Sequence, residues 1–201
     1  KKESERILLG LQKRIKKERL KAKLAVILVG SDRSSKLYTK LKRKAAKKIG
    51  IGFVQYNFKE SSREKDIAGK IERLNNDKSI SGIIVQLPLP RGFNENKILG
   101  LISPEKDADG FHEKNRDLLK RGNPYFFPVL PSAILLALKK SGKSLRGRKI
   151  IALVNSDVFG KTLKVFLKRN NIDSEFVLNN KSALSKIASA DIIISVCGKA
   201  G

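Results

Sequence analysis

The chain has 201 residues, 44 of them basic and 19 acidic, for a formal net charge of +25, and 40% are hydrophobic, enough for a packed core despite the charge. One cysteine excludes a disulfide framework and a thiolate zinc site and fits a reducing, cytoplasmic setting. No apolar run approaches the ~20 residues of a membrane span, and the short patch Ile7–Leu11 behind a charged start does not make a signal peptide.

Ile7, Leu8, Leu11 and Ile15 recur at helical spacing, and Leu24–Val29 follows as a continuous apolar run ending at Gly30, the pattern of a buried parallel strand. A helix is predicted over Ser34–Ile49, closed by Gly50 or Gly52 in a left-handed cap. Phe53–Phe58 alternates as a strand, Asp66–Leu74 returns to helix, and Gly82–Leu87 reads as a further buried strand stopped by Pro88 and Pro90. Residues 1–50 hold 18 basic and 4 acidic side chains, so the charge is concentrated here. A stretch so basic can bind polyanions, but Tyr38 is its only aromatic residue, and much of it fits a solvated helix face; a nucleic-acid role is not the favoured reading.

Beyond a loop at Pro124–Pro128, Pro131 falls in the first turn of a helix running to about Lys140. Then come a strand over Lys149–Val154, a helix over Val158–Asn170, a strand over Ser174–Leu178, a helix over Ser182–Ala188 and a strand over Asp191–Val196. This is a βαβαβ half of a dinucleotide-type domain. The fold class is therefore α/β with two α/β domains: residues 1–124, a catalytic three-layer-like domain, and 125–201, a Rossmann-like domain truncated at its C-terminus. The absence of methionine, even at position 1, further predicts a trimmed chain or a fragment.

Three stretches carry chemistry. Tyr38 and Lys42 are four apart and share a helix face just beyond a strand end, the edge where open α/β sheets bind ligands. A lysine works as a base only when its amine is neutral, which burial or cationic neighbours favour, and Lys40, Arg43 and Lys44 supply neighbours. From spacing alone, the favoured reading is a surface lysine beside a core tyrosine. In Val85-Gln86-Leu87-Pro88-Leu89-Pro90 a single amide interrupts an apolar strand end, and a buried glutamine needs partners for both its donor and its acceptor. In Lys106-Asp107-Ala108-Asp109-Gly110-Phe111-His112, two carboxylates in a Gly turn can ligate a metal, form an acid/base pair, recognise an amine-rich ring, or simply make a turn. His112 fits a helix start as well as a catalyst.

Taken in order, these motifs resemble the bifunctional methylenetetrahydrofolate dehydrogenase/methenyltetrahydrofolate cyclohydrolase family, with its Ser-x-x-Tyr-x-x-x-Lys-x-Lys-Ala helix, Val-Gln-Leu-Pro-Leu-Pro strand end and Lys-Asp-x-Asp-Gly-Phe turn. The resemblance runs from about Ile15 to Gly201. It implies Lys42 as the catalytic lysine, Tyr38 as the ring that stacks on the folate, Gln86 as the amide orienting the lysine, and Asp109 as the carboxylate holding the pterin-type ring. No metal is implied. It further implies NADP as cofactor, with NAD as the alternative, a folate substrate, a homodimer, and no membrane partner. The activity it implies is oxidation of methylenetetrahydrofolate followed by hydrolysis of the methenyl product to formyltetrahydrofolate.

The family's Gly-x-Ser-x-x-Val-Gly-x-Pro turn corresponds to Val154-Asn155-Ser156-Asp157-Val158-Phe159-Gly160-Lys161, which makes Val154, Asn155, Ser156, Gly160 and Lys161 the cofactor-binding candidates. Val154 stands where the family has its first glycine, and is expected to crowd the phosphates. The family's Pro-Cys-Thr-Pro run appears as Pro128-Val129-Leu130-Pro131, and its His-Ser-x-Thr segment as Leu178-Asn179-Asn180-Lys181, both losing hydroxyls. Two alternatives follow: a cyclohydrolase whose dehydrogenase step has decayed, and a non-catalytic basic α/β protein that binds nucleic acid.

Overall fold

The β-branched and aliphatic run of β1 (Lys23–Val29) is buried from Ala25 onward and lies at the centre of a parallel sheet, flanked by β2 (Gly52–Phe58) and β3 (Gly82–Val85) in the order β2-β1-β3. Lys23 to Val29 pair in register with Gly52 to Phe58, and Leu24 to Ile27 with Gly82 to Val85. A strand buried on both faces must be apolar without alternation, which is the pattern in its sequence. The computed structural model describes residues 2–180 and 183–197. Gln86 still donates its N–H to the Ile27 carbonyl at 2.9 Å, but Pro88 has no N–H to offer, so β3 ends earlier than the apolar run predicts.

Helices α1 (Lys2–Lys17), α2 (Arg33–Ile49), α3 (Glu64–Asn76) and α4 (Glu95–Leu99) complete this unit. Asp32 caps α2 by accepting the Ser35 N–H at 2.7 Å, and Gly50 ends it in the left-handed region at φ 86°. Ile67, Ile71 and Leu74 form one buried stripe on α3. Fully burying such side chains contributes ~1.5–3 kcal/mol each, so this stripe, more than helix propensity, seats α3.

The second unit repeats the arrangement. Strand β4 (Ile150–Val154) is central between β5 (Glu175–Leu178) and β6 (Ile192–Val196), all parallel in the order β5-β4-β6. Around it lie α5 (Glu113–Arg121), α6 (Val129–Lys140), α7 (Asp157–Arg169) and α8 (Ala183–Ile187). The predicted start of α8 at Ser182 lies outside the described residues. Val158, Phe159, Leu163, Phe166 and Leu167 bury the inner face of α7, and Phe111 meets Phe159 edge-on with ring centroids 6.0 Å apart.

The chain divides into compact units at Asp107 and Ala108, not at the loop after residue 124. The reason is α5: it packs on α7, and the Arg169 guanidinium reaches back to the Lys120 carbonyl, which ties residues 113–121 to the second unit. Helices α4 and α5 were not among the predicted elements. α4 is a short helix, and α5 buries only Asn115 and Leu119, so neither carries enough apolar periodicity to be read. Among the described residues no helix is long and apolar enough to cross a membrane.

Candidate active site

Ser35, Thr39, Lys42 and Ala46 follow i, i+4, i+7, i+11 spacing, a single stripe along α2. Ser35, Thr39 and Ala46 are buried, and their small side chains let the helix lie close to its neighbours. Lys42 sits in the middle of that stripe and is half-buried. Its Nζ donates to Oε1 of Gln86 at 3.1 Å. Gln86, 9% exposed and just past the end of β3, donates its Nε2 to the Leu87 carbonyl at 2.9 Å. The glutamine thus spends its donor on the backbone and its acceptor on the ammonium, the two partners a buried amide requires. A hydrogen bond to a charged group contributes ~1.5–3 kcal/mol and is directional, so it holds Lys42 beside the end of β3.

Tyr38, one turn before Lys42, is 49% exposed, so it is not a core aromatic; its ring is open to a ligand. Arg43 does not serve as the cationic neighbour expected for Lys42. Its guanidinium lies over the Phe53 ring at 5.0 Å and donates to Oε1 of Gln55 at 2.8 Å, both on β2. Gly30 at the end of β1 has φ 81°, and a Cβ there would come within 2.9 Å of Glu60 and 3.0 Å of Pro90, so the edge around the Pro88–Pro90 loop is closely packed.

Lys106 opens the aspartate turn with a role the sequence did not disclose. Its Nζ donates to the carbonyls of Leu74, Asn75 and Asp77 at 3.1, 2.7 and 2.8 Å, closing the C-terminal end of α3 with a positive charge. The Lys106 carbonyl accepts the Ile83 N–H at 2.6 Å, and Asp107, 1% exposed, bridges to Ile83. Asp107 is a buried part of the first unit. Asp109 opens the second unit half-buried, before Gly110 at φ 73°. His112 caps α5, its Nδ1 accepting the Lys114 N–H at 3.0 Å, which is the helix-start reading. Among the described residues no group of three or more His, Cys, Asp or Glu could hold a metal ion.

At the C-terminal edge of the second sheet, Val154 is the last rung of β4, fully buried between Leu178 and Val196. Its side chain, expected to crowd a phosphate turn, lies in the core, and its carbonyl accepts the Asn179 N–H at 2.8 Å. Asn155 bridges the strand ends, donating to the Cys197 carbonyl and accepting from the Asn179 amide, each at 3.1 Å. Ser156 is the N-cap of α7, accepting the Phe159 N–H at 3.3 Å. Gly160 is required by packing, since a Cβ would overlap the Phe176 ring on β5; this close helix–strand approach is one of the glycine roles in dinucleotide-binding turns. Lys161 pairs with Asp157 in the first turn of α7. The N-terminus of α7 could receive the pyrophosphate of a dinucleotide, but the Asp157–Lys161 pair leaves this turn charge-neutral rather than positive. Lys181 lies outside the described residues.

Parallel α/β units, the first presenting an amide-held lysine and an exposed tyrosine near the end of its sheet, define a protein of the α/β class. A sequence profile of the tetrahydrofolate dehydrogenase/cyclohydrolase catalytic domain matches residues 1–109. The bifunctional protein FolD of Geotalea daltonii is 38% identical over 177 residues, 88% of this chain and 63% of that protein; its counterpart in Staphylococcus aureus is 38% identical over 196 residues, 96% of this chain and 68% of that protein. The crystal structure of the bifunctional methylenetetrahydrofolate dehydrogenase/cyclohydrolase of Campylobacter jejuni superposes with a TM-score of 0.76 at 31% identity, covering 96% of this chain and 70% of that one. The Trypanosoma brucei enzyme, complexed with NADP and an inhibitor, gives a TM-score of 0.77 at 26% identity, covering 97% and 70%. The chain belongs to the tetrahydrofolate dehydrogenase/cyclohydrolase family. It spans 63% of the length of the Geotalea relative.

Proposed function

We propose that the protein oxidises methylenetetrahydrofolate and hydrolyses the methenyl product to formyltetrahydrofolate, with Lys42 as the proton-handling group. The observation that carries this reading is the 3.1 Å bond from Lys42 to Gln86. Hydrolysis adds water to the methenyl carbon and releases one proton, and Lys42 Nζ, held by Gln86, is the group placed to handle it. Gln86 directs the amine, Tyr38 offers its open ring to the flat face of the folate, and Asp109 pairs with the amino-substituted heterocycle. NADP, when bound, supplies the hydride acceptor for the oxidative step. Asn155, Ser156, Gly160 and Lys161 border its place at the edge of β4 and α7. Cytosolic location and a homodimer belong to the same reading, and the single cysteine fits a reducing compartment.

One observation favours a second reading, hydrolysis without the oxidative step. Asp157 puts a carboxylate on the turn that would face the pyrophosphate, and it engages Lys161. Separate turnover assays on the methylene and methenyl substrates decide between them. In both assays Lys42→Met is expected to slow the reaction by ~10²–10⁴-fold with folate affinity and fold retained. Near-parental rates in that variant would remove Lys42 from the mechanism.

A further inference from the structure

The loop that carries Gln86 has little of its own to hold it. Pro88 and Pro90 have no N–H, so Leu89 between them has the sole amide hydrogen of that tripeptide. Leu89 donates it to Oε1 of Glu95 at 3.0 Å. Glu95 is the first residue of α4, and its place is fixed from behind. Asn94, the N-cap of α4, donates its backbone N–H to Oε1 of Glu64 at 2.8 Å, and Lys97 meets Oε2 of Glu64 at 2.9 Å. Glu64 belongs to α3, so the loop is tied through Glu95 to a helix seated in the core.

What this loop controls is the rotation of one amide. Gln86 has a donor end and an acceptor end. Turned over, it would point an NH₂ group at the Lys42 ammonium, donor against donor. The Leu87 carbonyl, by accepting from Nε2, decides which end faces the lysine. That carbonyl belongs to the Leu87–Pro88 peptide, two residues before the amide that Glu95 holds. We propose that Glu95 is a positioning residue: by accepting the Leu89 N–H it holds the Leu87 carbonyl where it fixes the Gln86 amide, and through that amide it aims Lys42. The inference rests on the reading of Lys42 as the proton-handling lysine.

The test compares Glu95→Leu, Glu95→Gln, Gln86→Leu and the double variant Glu95→Leu/Gln86→Leu in methenyltetrahydrofolate hydrolysis, with the Gln86 side-chain NH₂ signals followed by NMR. Glu95→Leu is expected to lower kcat by up to ~10²-fold, the scale of a misplaced catalytic group, with KM little changed and the pH–rate profile displaced in the same direction as for Gln86→Leu. Glu95→Gln keeps an acceptor oxygen and should recover most of the rate. The double variant should lose no more than Gln86→Leu alone, because both changes break one chain of contacts. Losses that multiply in the double variant, or Gln86 NH₂ signals unmoved by Glu95→Leu, would overturn the proposal. If Gln86→Leu itself leaves hydrolysis intact, the reading of Lys42 fails instead, and the NMR comparison alone decides the role of Glu95. Should Glu95→Leu not fold, Glu95→Asp, one methylene shorter, makes the same comparison.

Discussion

Asp107 and Asp109 are separated by a single alanine and have opposite environments. The Asp107 side chain is buried at 1% exposure, and its main chain pairs with Ile83, whereas Asp109 is half-buried just beyond it. Asp107→Ala should therefore lower stability, by ~1–3 kcal/mol as for other disrupted buried polar groups, and Asp109→Ala should weaken folate binding by ~1.5–3 kcal/mol. Denaturant titration and folate titration of both variants separate the two effects. Equal losses of affinity, with no difference in stability, would mean a shared binding role. The pairing of Lys42 with Gln86 was legible through the ordered motifs around them, and the structure joins the two at 3.1 Å. The position of Lys42 in a stripe with Ser35, Thr39 and Ala46 is also a sequence signal: a lysine among small residues on the inward face of a helix has a reason to be there. The contact of Glu95 with Leu89 has no such signal, because it exists only when the loop folds back on α4.

At the scale of elements, the edge of β4 and the first turn of α7 decide how well a dinucleotide is held. Val154 is fully buried in the central strand, so Val154→Gly opens a cavity and loosens the strand. The expected cost is ~2–4 kcal/mol of stability, seen as a lower denaturation midpoint, with no gain in NADP affinity. A tighter NADP complex in that variant would restore the view that Val154 crowds the cofactor. Asp157→Asn is the substitution that should help. It removes a carboxylate from the α7 N-terminus and releases Lys161, at a cost of ~0.3–1 kcal/mol in helix stability. NADP affinity should rise several-fold. Unchanged affinity would place the phosphates away from this turn.

The molecule as a whole carries +25, and self-repulsion among its cations makes each engaged carboxylate matter. Glu64 is held below its ordinary value chiefly by the Asn94 N–H and then by Lys97, Asp66 by Arg63, Asp77 by Ser79, and Asp117 by Lys120. Groups with depressed values stabilise the fold fully above their unfolded values, 4.5 for Glu64 and 3.8 for the aspartates, and lose that contribution as pH falls through the lower folded values. Stability should accordingly fall on acidification below about pH 4.5, with Glu64→Gln showing a shallower decline. Denaturant midpoints between about pH 3 and pH 6 check this, and parallel declines in parent and variant would remove Glu64 from the account. The same net charge makes salt-sensitive adhesion to duplex nucleic acid an expected property of the surface, not by itself a function.

The alternation of helix and strand, the parallel class of both sheets, the left-handed cap at Gly50 and the motif residues Tyr38, Lys42, Gln86 and Asp109 were all present in the linear pattern, because periodicity, turn chemistry and ordered motifs are local properties. Tertiary structure alone decided the rest. It placed the division of units at Asp107 because α5 packs on α7, set the Val154 side chain in the core, gave Arg43 to β2, and joined Lys106 to the end of α3. Each of these depends on which groups meet across a fold, where burial and hydrogen bonding between distant residues outweigh what neighbours in sequence prefer.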